Sequence, residues 1–143
     1  MEEIEITREE ALTLHAAIMA AAGIDAPFAF SYALARTKKS LQPERDAFDE
    51  ADQASREAAE ALAITLAQKD DDGKPVMTPD GRGFLIDPQH ADQWRTAETE
   101  RQAEIKALLH ERIKVAVYRV TGSMPETLSP AIVEGLLPIL PDD

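Results

Sequence analysis

The chain has 143 residues, of which 44% are hydrophobic and 29% charged, and a formal net charge of −12, the profile of one acidic, soluble domain. That charge disfavours direct binding to nucleic acid or to an anionic membrane. The absence of cysteine excludes disulfides, thiol catalysis and thiolate metal sites, and fits a reducing compartment.

Only 5% of the residues are aromatic, so a core must be built mainly from Ala, Leu, Ile and Val, and the alanine content favours helix. The start, "MEEIEITREE", is acidic where a secretory leader is basic and then apolar. No run reaches the roughly 18 apolar residues of a membrane span. The expected location is therefore the cytoplasm.

In chain order, residues 1–24 predict a short strand, Glu3 to Ile6, and a helix from Arg8 to about Ala22. "TREE" supplies a capping box, with Thr7 as N-cap and Glu10 as its partner, and Gly23 ends the helix. Residues 25–69 predict a second, long helix, with Asp25 as its cap and Pro27 in its first turn. Pro43 is expected to kink it or to open a third helix. Leu34, Leu41, Phe48, Ser55 and Leu62 recur at sevens, an apolar seam with coiled-coil spacing. Thr37, Glu44, Ser55 and Thr65 interrupt it.

Residues 70–87 contain "DDDG" and "PDGRG" and predict a β-hairpin tip, with Gly81 at a position of positive φ. The three aspartates are expected to stop the helix. A calcium loop is a poor fit: aligning Gly73 with the turn glycine places Pro79 where a bidentate glutamate is required. Residues 88–112 predict a returning helix, capped by Asp87 with Pro88 in its first turn. Its facing stripe is Trp94, Ala97, Arg101, Ile105 and Leu108. Trp94, Ile105 and Leu108 are expected to bury against Leu41, Phe48 and Leu62, while Arg101 lays its stem along the seam and sends its charge out. Within residues 113–143, Ile113 to Val120 alternates as a strand, whose natural partner is Ile4 and Ile6. A short helix capped by Ser129 follows, interrupted by Gly135 and Pro138. The expected fold is thus mainly α with a small β component: a helical hairpin or bundle with a β-hairpin tip and a strand pair near the termini.

Chemistry is sparse. His15, His90 and His110 lack metal-motif spacing, and no phosphate-binding glycine loop or nucleophile elbow occurs. No catalytic residue, metal ligand or cofactor is expected, and the chain reads as a non-enzyme. Charge is the remaining signal. Residues 46–72 sum to −7 and residues 31–45 to +3. Asp46, Glu50, Glu57 and Glu60 lie at helical spacing, and Asp70, Asp71 and Asp72 form the tip run. These seven are the candidate protein-contact residues. The basic island Arg36 to Ser40, with Arg45 beyond it, reads as a solvated helix face.

The order of "FAFSYALARTKKSLQPERDAFDEA", "KDDDGKPVMTPDGRGFLIDPQHADQW", "IKVAVYRV" and "LSPAIVEGLLPIL" resembles a family of small tailed-bacteriophage and prophage proteins of unknown function. The resemblance covers residues 28–140 and rests on arrangement and a degenerate Asp/Gly hairpin. It implies a bacterial host cell or a virion as the setting, and a structural or protein-binding role with a phage or host protein, or with further copies of the chain. Two readings follow: an accessory or assembly protein, and an acidic decoy that occupies a host DNA-binding defence enzyme in place of a phosphate row.

Overall fold

The computed structural model describes residues 1–141. The elements are β1 (Glu2–Thr7), α1 (Arg8–Ala21), α2 (Phe28–Leu66), a 3-10 turn (Pro88–His90), α3 (Ala91–His110), β2 (Arg112–Val117), α4 (Pro130–Leu136) and a second 3-10 turn (Leu137–Ile139). The fold is mainly α with a small antiparallel β pair, as the sequence indicates. The chain forms two compact units, one from Met1–Phe48 with the chain from Leu108 onward, the other from Asp49–Ala107.

The first unit holds the core. β1 and β2 pair antiparallel, with Ile4 opposite Val115 and Ile6 opposite Ile113. The capping box forms as expected: Thr7 Oγ1 accepts the Glu10 N–H, and Glu10 accepts the Thr7 N–H. α1 then buries Ala11, Leu14, Ala17 and Ile18 against Phe30, Leu34 and Leu41 of α2, Val117 of β2, and Leu136 and Ile139 beyond. Gly135 does not interrupt α4. A Cβ at that position would stand 2.6 Å from Ala17 Cβ, so the missing side chain lets α4 lie directly on α1. Ser129 caps α4 as expected, accepting the Ile132 N–H.

The polar residues on the α2 seam are tie points. Thr37 is fully buried because its hydroxyl accepts the Tyr118 N–H at 2.9 Å and lies 3.3 Å from the Tyr118 carbonyl, closing the end of β2. β2 accordingly stops at Val117 rather than reaching Val120. Glu44 pairs with Arg8, whose side chain is only 13% exposed. Arg8 also donates to the Leu108 carbonyl at 2.7 Å and to Glu111 at 3.1 Å. The bond to Glu44, then that to Glu111, raises the Arg8 pKa above its ordinary value. His15 is buried with its Nε2 2.9 Å from Gln42 Oε1. Gln42 Nε2 donates to the Asp46 carboxylate, so Oε1 is the accepting end and His15 Nε2 carries the proton.

Several expectations need correction. Asp25 is not a cap: α2 starts at Phe28, and the Pro27 carbonyl accepts the Ser31 N–H. Pro43 opens no third helix but lies inside α2. Its ring is exposed, and the helix on either side is held by buried Leu41, by Gln42 to His15 and by Glu44 to Arg8. Those contacts outweigh the lost backbone bond.

The heptad seam does not bury as one stripe. Leu34 and Leu41 belong to the first unit's core, whereas Phe48, Leu62, Trp94, Ile105 and Leu108 are half-buried, and α3 has no fully buried residue. In the second unit only Ala63, Leu66 and Ala67 are buried among the described residues. A pair of helices without a covering layer leaves both flanks of its seam open to water.

Two substitutions test this account. Gly135→Ala should cost about 1–3 kcal/mol in urea denaturation, since a methyl group meets Ala17 with nowhere to go. Arg8→Met should cost about 2 kcal/mol or more, because Glu44, Glu111 and the Leu108 carbonyl lose the guanidinium they share. A midpoint unchanged by either would contradict the packing described.

Candidate functional site

The tip of the second unit is a small closed figure of three extended segments. Gln68 donates to the Leu85 carbonyl at 2.7 Å, Leu85 to the Val76 carbonyl at 2.9 Å, and Val76 to the Gln68 carbonyl at 2.8 Å. Each of the three is therefore bonded to the other two. Bridges between Ala67 and Ile86, Lys69 and Pro75, and Met77 and Phe84 complete the pairing. The Asp87 N–H donates to the Leu66 carbonyl, which ties the figure to the last residue of α2. α2 ends at Leu66, ahead of the aspartates, so the expectation that they stop the helix is corrected: strand-like pairing of Ala67 ends it.

The aspartates divide their roles. Asp70 Oδ1 accepts the N–H groups of Asp72 and Lys74, both at 2.9 Å, and the Asp70 carbonyl accepts the Gly73 N–H. Gly73 takes φ +78°, a left-handed conformation that suits glycine. Asp70 is therefore the organiser of a tight turn. Asp71 and Asp72 are exposed and point no carboxylate at a partner among the described residues. The second turn runs through Pro79 and Gly81, whose φ of +71° is positive as the sequence anticipates. Here Asp80 accepts the Thr78 hydroxyl and the Arg82 N–H, and those two bonds, in that order, hold its carboxyl below the usual range. No group of three or more His, Asp or Glu side chains is arranged to hold a metal among the described residues.

Apart from Glu44 and the half-buried Asp52, α2 places its carboxylates outward. In the second unit Glu50, Glu57 and Glu60 are exposed, and Glu57 receives a hydrogen bond from Gln53 Nε2. In the first unit Asp46 is exposed and bonded to Gln42. None of the four forms an ion pair among the described residues, whereas Asp52 is paired with Arg56 at 3.0 Å. Asp87 caps the return as expected, accepting the Gln89 N–H, with Pro88 in the first position.

Two features escaped the sequence reading. Trp94, expected in the core, instead lines an open groove of about 550 Å³ together with Met77, Phe84, Arg82 and Arg101. Arg101 is fixed there by Glu98 at 3.3 Å. In the first unit, Phe28, Tyr32 and Arg36 stand at steps of four along α2, beside Tyr118. The spacing F-x3-Y-x3-R carries the signal in the sequence, and charge counting alone does not show it.

No protein family, curated protein or solved structure matches the chain. No helix among the described residues is long and apolar enough to cross a membrane.

The Asp80 turn carries a pH dependence. Its folded pKa is depressed, so its stabilising effect is present above the ordinary aspartate value of about 4 and fades as pH falls through the lower folded value. The Arg82 amide resonance should therefore hold its position on acidification past the usual aspartate range, then move as the turn loosens. In Asp80→Asn that titration should vanish. An Arg82 amide that shifts with an unperturbed midpoint would remove the turn from the account.

Proposed function

We propose that the protein is a non-enzymatic phage or prophage accessory or assembly protein that works through protein–protein contacts, in a bacterial host cell or on the virion. The observation that carries this reading is the surplus of exposed carboxylates with no internal task. Asp71 and Asp72 at the tip have no ion-pair partner among the described residues, yet they sit in a turn fixed by backbone hydrogen bonds and by the Asp70 carboxylate. Rigid presentation of uncompensated charge favours a complementary partner surface, because little ordering entropy remains to be lost on binding. No small molecule, cofactor or metal is part of this reading. A second copy of the chain is one admissible partner.

The α2 carboxylates support a second reading, in which they substitute for a phosphate row and occupy a basic, DNA-binding defence enzyme. Glu50, Glu57 and Glu60 are exposed along one helix without neutralising cations, which is what such a surface requires.

One comparison separates the two. The chain, the pair Glu50→Lys with Glu57→Lys, and the pair Asp71→Lys with Asp72→Lys serve as baits in extracts of infected or lysogenic cells. All three should fold alike, since exposed substitutions usually shift stability by within about 0.5 kcal/mol. The assembly reading expects a structural or host protein lost with the tip pair and kept with the helix pair. The decoy reading expects a DNA-binding enzyme lost with the helix pair at low salt, with a smaller difference at high salt, where charges beyond about 8 Å are screened. A partner that tolerates both pairs would sink both surfaces.

A further inference from the structure

The start of α2 has the opposite character. Phe28 is 83% exposed and Tyr32 49%, although both are large aromatic side chains in a chain with few aromatics. Their rings lie 6.0 Å apart and nearly parallel, and Tyr32 meets the Tyr118 ring edge-on at 6.4 Å. Arg36 lies over the Tyr118 ring at 5.0 Å and donates to its hydroxyl at 2.8 Å. Lys39 and Met1, both exposed, line a small cleft of about 170 Å³ with Arg36, Ser40 and Tyr118.

At roughly 100° per residue, Phe28, Tyr32, Arg36 and Lys39 fall within one narrow arc of the helix. From Phe28 to Lys39 no carboxylate occurs on α2. The first on that arc is Asp46, about 10 Å further along the axis than Lys39 by helical rise. Neither Arg36 nor Lys39 has a carboxylate partner among the described residues, in a chain with 27 acidic against 15 basic side chains.

Single exposed apolar residues need no explanation, but a continuous ladder of rings ending in two unneutralised cations does. The ladder is also held rigid. Tyr118 is fixed through its backbone by buried Thr37, and Arg36 is fixed on Tyr118 by the hydroxyl and the ring face, while its other N–H donors stay available.

We propose that this face of α2 is a docking site for a short acidic segment of a partner protein, one that carries an aromatic or aliphatic anchor beside its carboxylates. The rings would receive the anchor, and Arg36 and Lys39 the carboxylates. Charge complementarity selects this occupant. Single-stranded nucleic acid also favours aromatics beside cations, but it brings one charge per nucleotide along its whole length. Here two cations share the arc, and the net charge of −12 repels an extended polyanion. The site goes beyond the acidic surfaces proposed above: it uses other residues and the opposite charge, and its variants leave those surfaces intact.

The test is selection of a displayed library of random dodecapeptides on the full chain, with the variant Phe28→Ser, Arg36→Glu as counter-target. Circular dichroism and thermal melting should show the variant folded, because both side chains are exposed. The expected result is a set of peptides that combine Asp or Glu with Trp, Phe or Leu. They should bind more weakly as salt rises and lose about tenfold or more in affinity to Arg36→Glu and to Tyr32→Ala. Peptides without acidic enrichment, or peptides held equally by chain and variant, would overturn the proposal. So would an oligo-dT strand that binds the chain and not the variant, which would assign the face to nucleic acid. Salt-sensitive self-association in light scattering, lost in the variant, would assign it to a second copy.

Discussion

One guanidinium closes the first unit. Arg8 stands where β1 becomes α1, and it is bonded at once to Glu44 on α2, to the Leu108 carbonyl in α3 and to Glu111 just before β2. Its own N–H donates to the Glu111 carbonyl, so backbone and side chain bind the same place. The pairing of β1 with β2 joins residues more than a hundred positions apart, and contacts that distant recover their loop-closure entropy only when several form together. Arg8 supplies that concurrence. A partly buried arginine with three acceptors is satisfied in a way a lone surface pair is not, which is why its protonated form is favoured further.

The second unit is built on a different constraint. Among its described residues only Ala63, Leu66 and Ala67 are fully buried, so side-chain burial does less for it than for the first unit, and the tip compensates through the backbone. Gln68, Val76 and Leu85 satisfy one another's N–H and carbonyl groups in a ring, and two aspartates, Asp70 and Asp80, take up the free N–H groups of the turns. Order that comes from backbone bonding leaves side chains such as Asp71 and Asp72 without structural duty. That arrangement suits a contact surface, since those positions can be set by a partner without cost to the fold.

What the sequence makes legible is what local chemistry decides. The capping box at Thr7, the caps at Asp87 and Ser129, the positive φ of Gly81 and the alternation that pairs Ile4 and Ile6 with β2 each depend on a few neighbouring residues. What it hides depends on which surface arrives from elsewhere. The seam residues Leu41 and Phe48 share a period, yet Leu41 is enclosed and Phe48 is not, because α1 and β2 cover only the first. Gly135 reads as a helix breaker until Ala17 is found against it. Thr37 and Glu44 read as flaws in an apolar stripe, and they are the residues through which Tyr118 and Arg8 grip α2. Of the candidate contact residues, exposure followed from amphipathic spacing, but the separate role of Asp70 required knowledge of where the helix stops.

The distribution of charge links fold to function. The arginines that form ion pairs do so mainly where the chain needs holding: Arg8 at the closure, Arg112 on β2 and Arg119 just beyond it with Glu5 and Glu2 of β1, Arg101 against Glu98 beside the groove. The surplus acids are left outside this network, at Glu50, Glu60, Asp71 and Asp72, and the cations Arg36 and Lys39 are left outside it as well. An acidic chain could neutralise its own exposed cations by placing carboxylates at i±4, a pairing this chain does use at Asp52 and Arg56. Around Arg36 and Lys39 it places rings instead. Internal neutralisation there would contribute only a few tenths of a kcal/mol to the helix, whereas cations left bare beside an apolar ladder retain their full attraction for an incoming carboxylate.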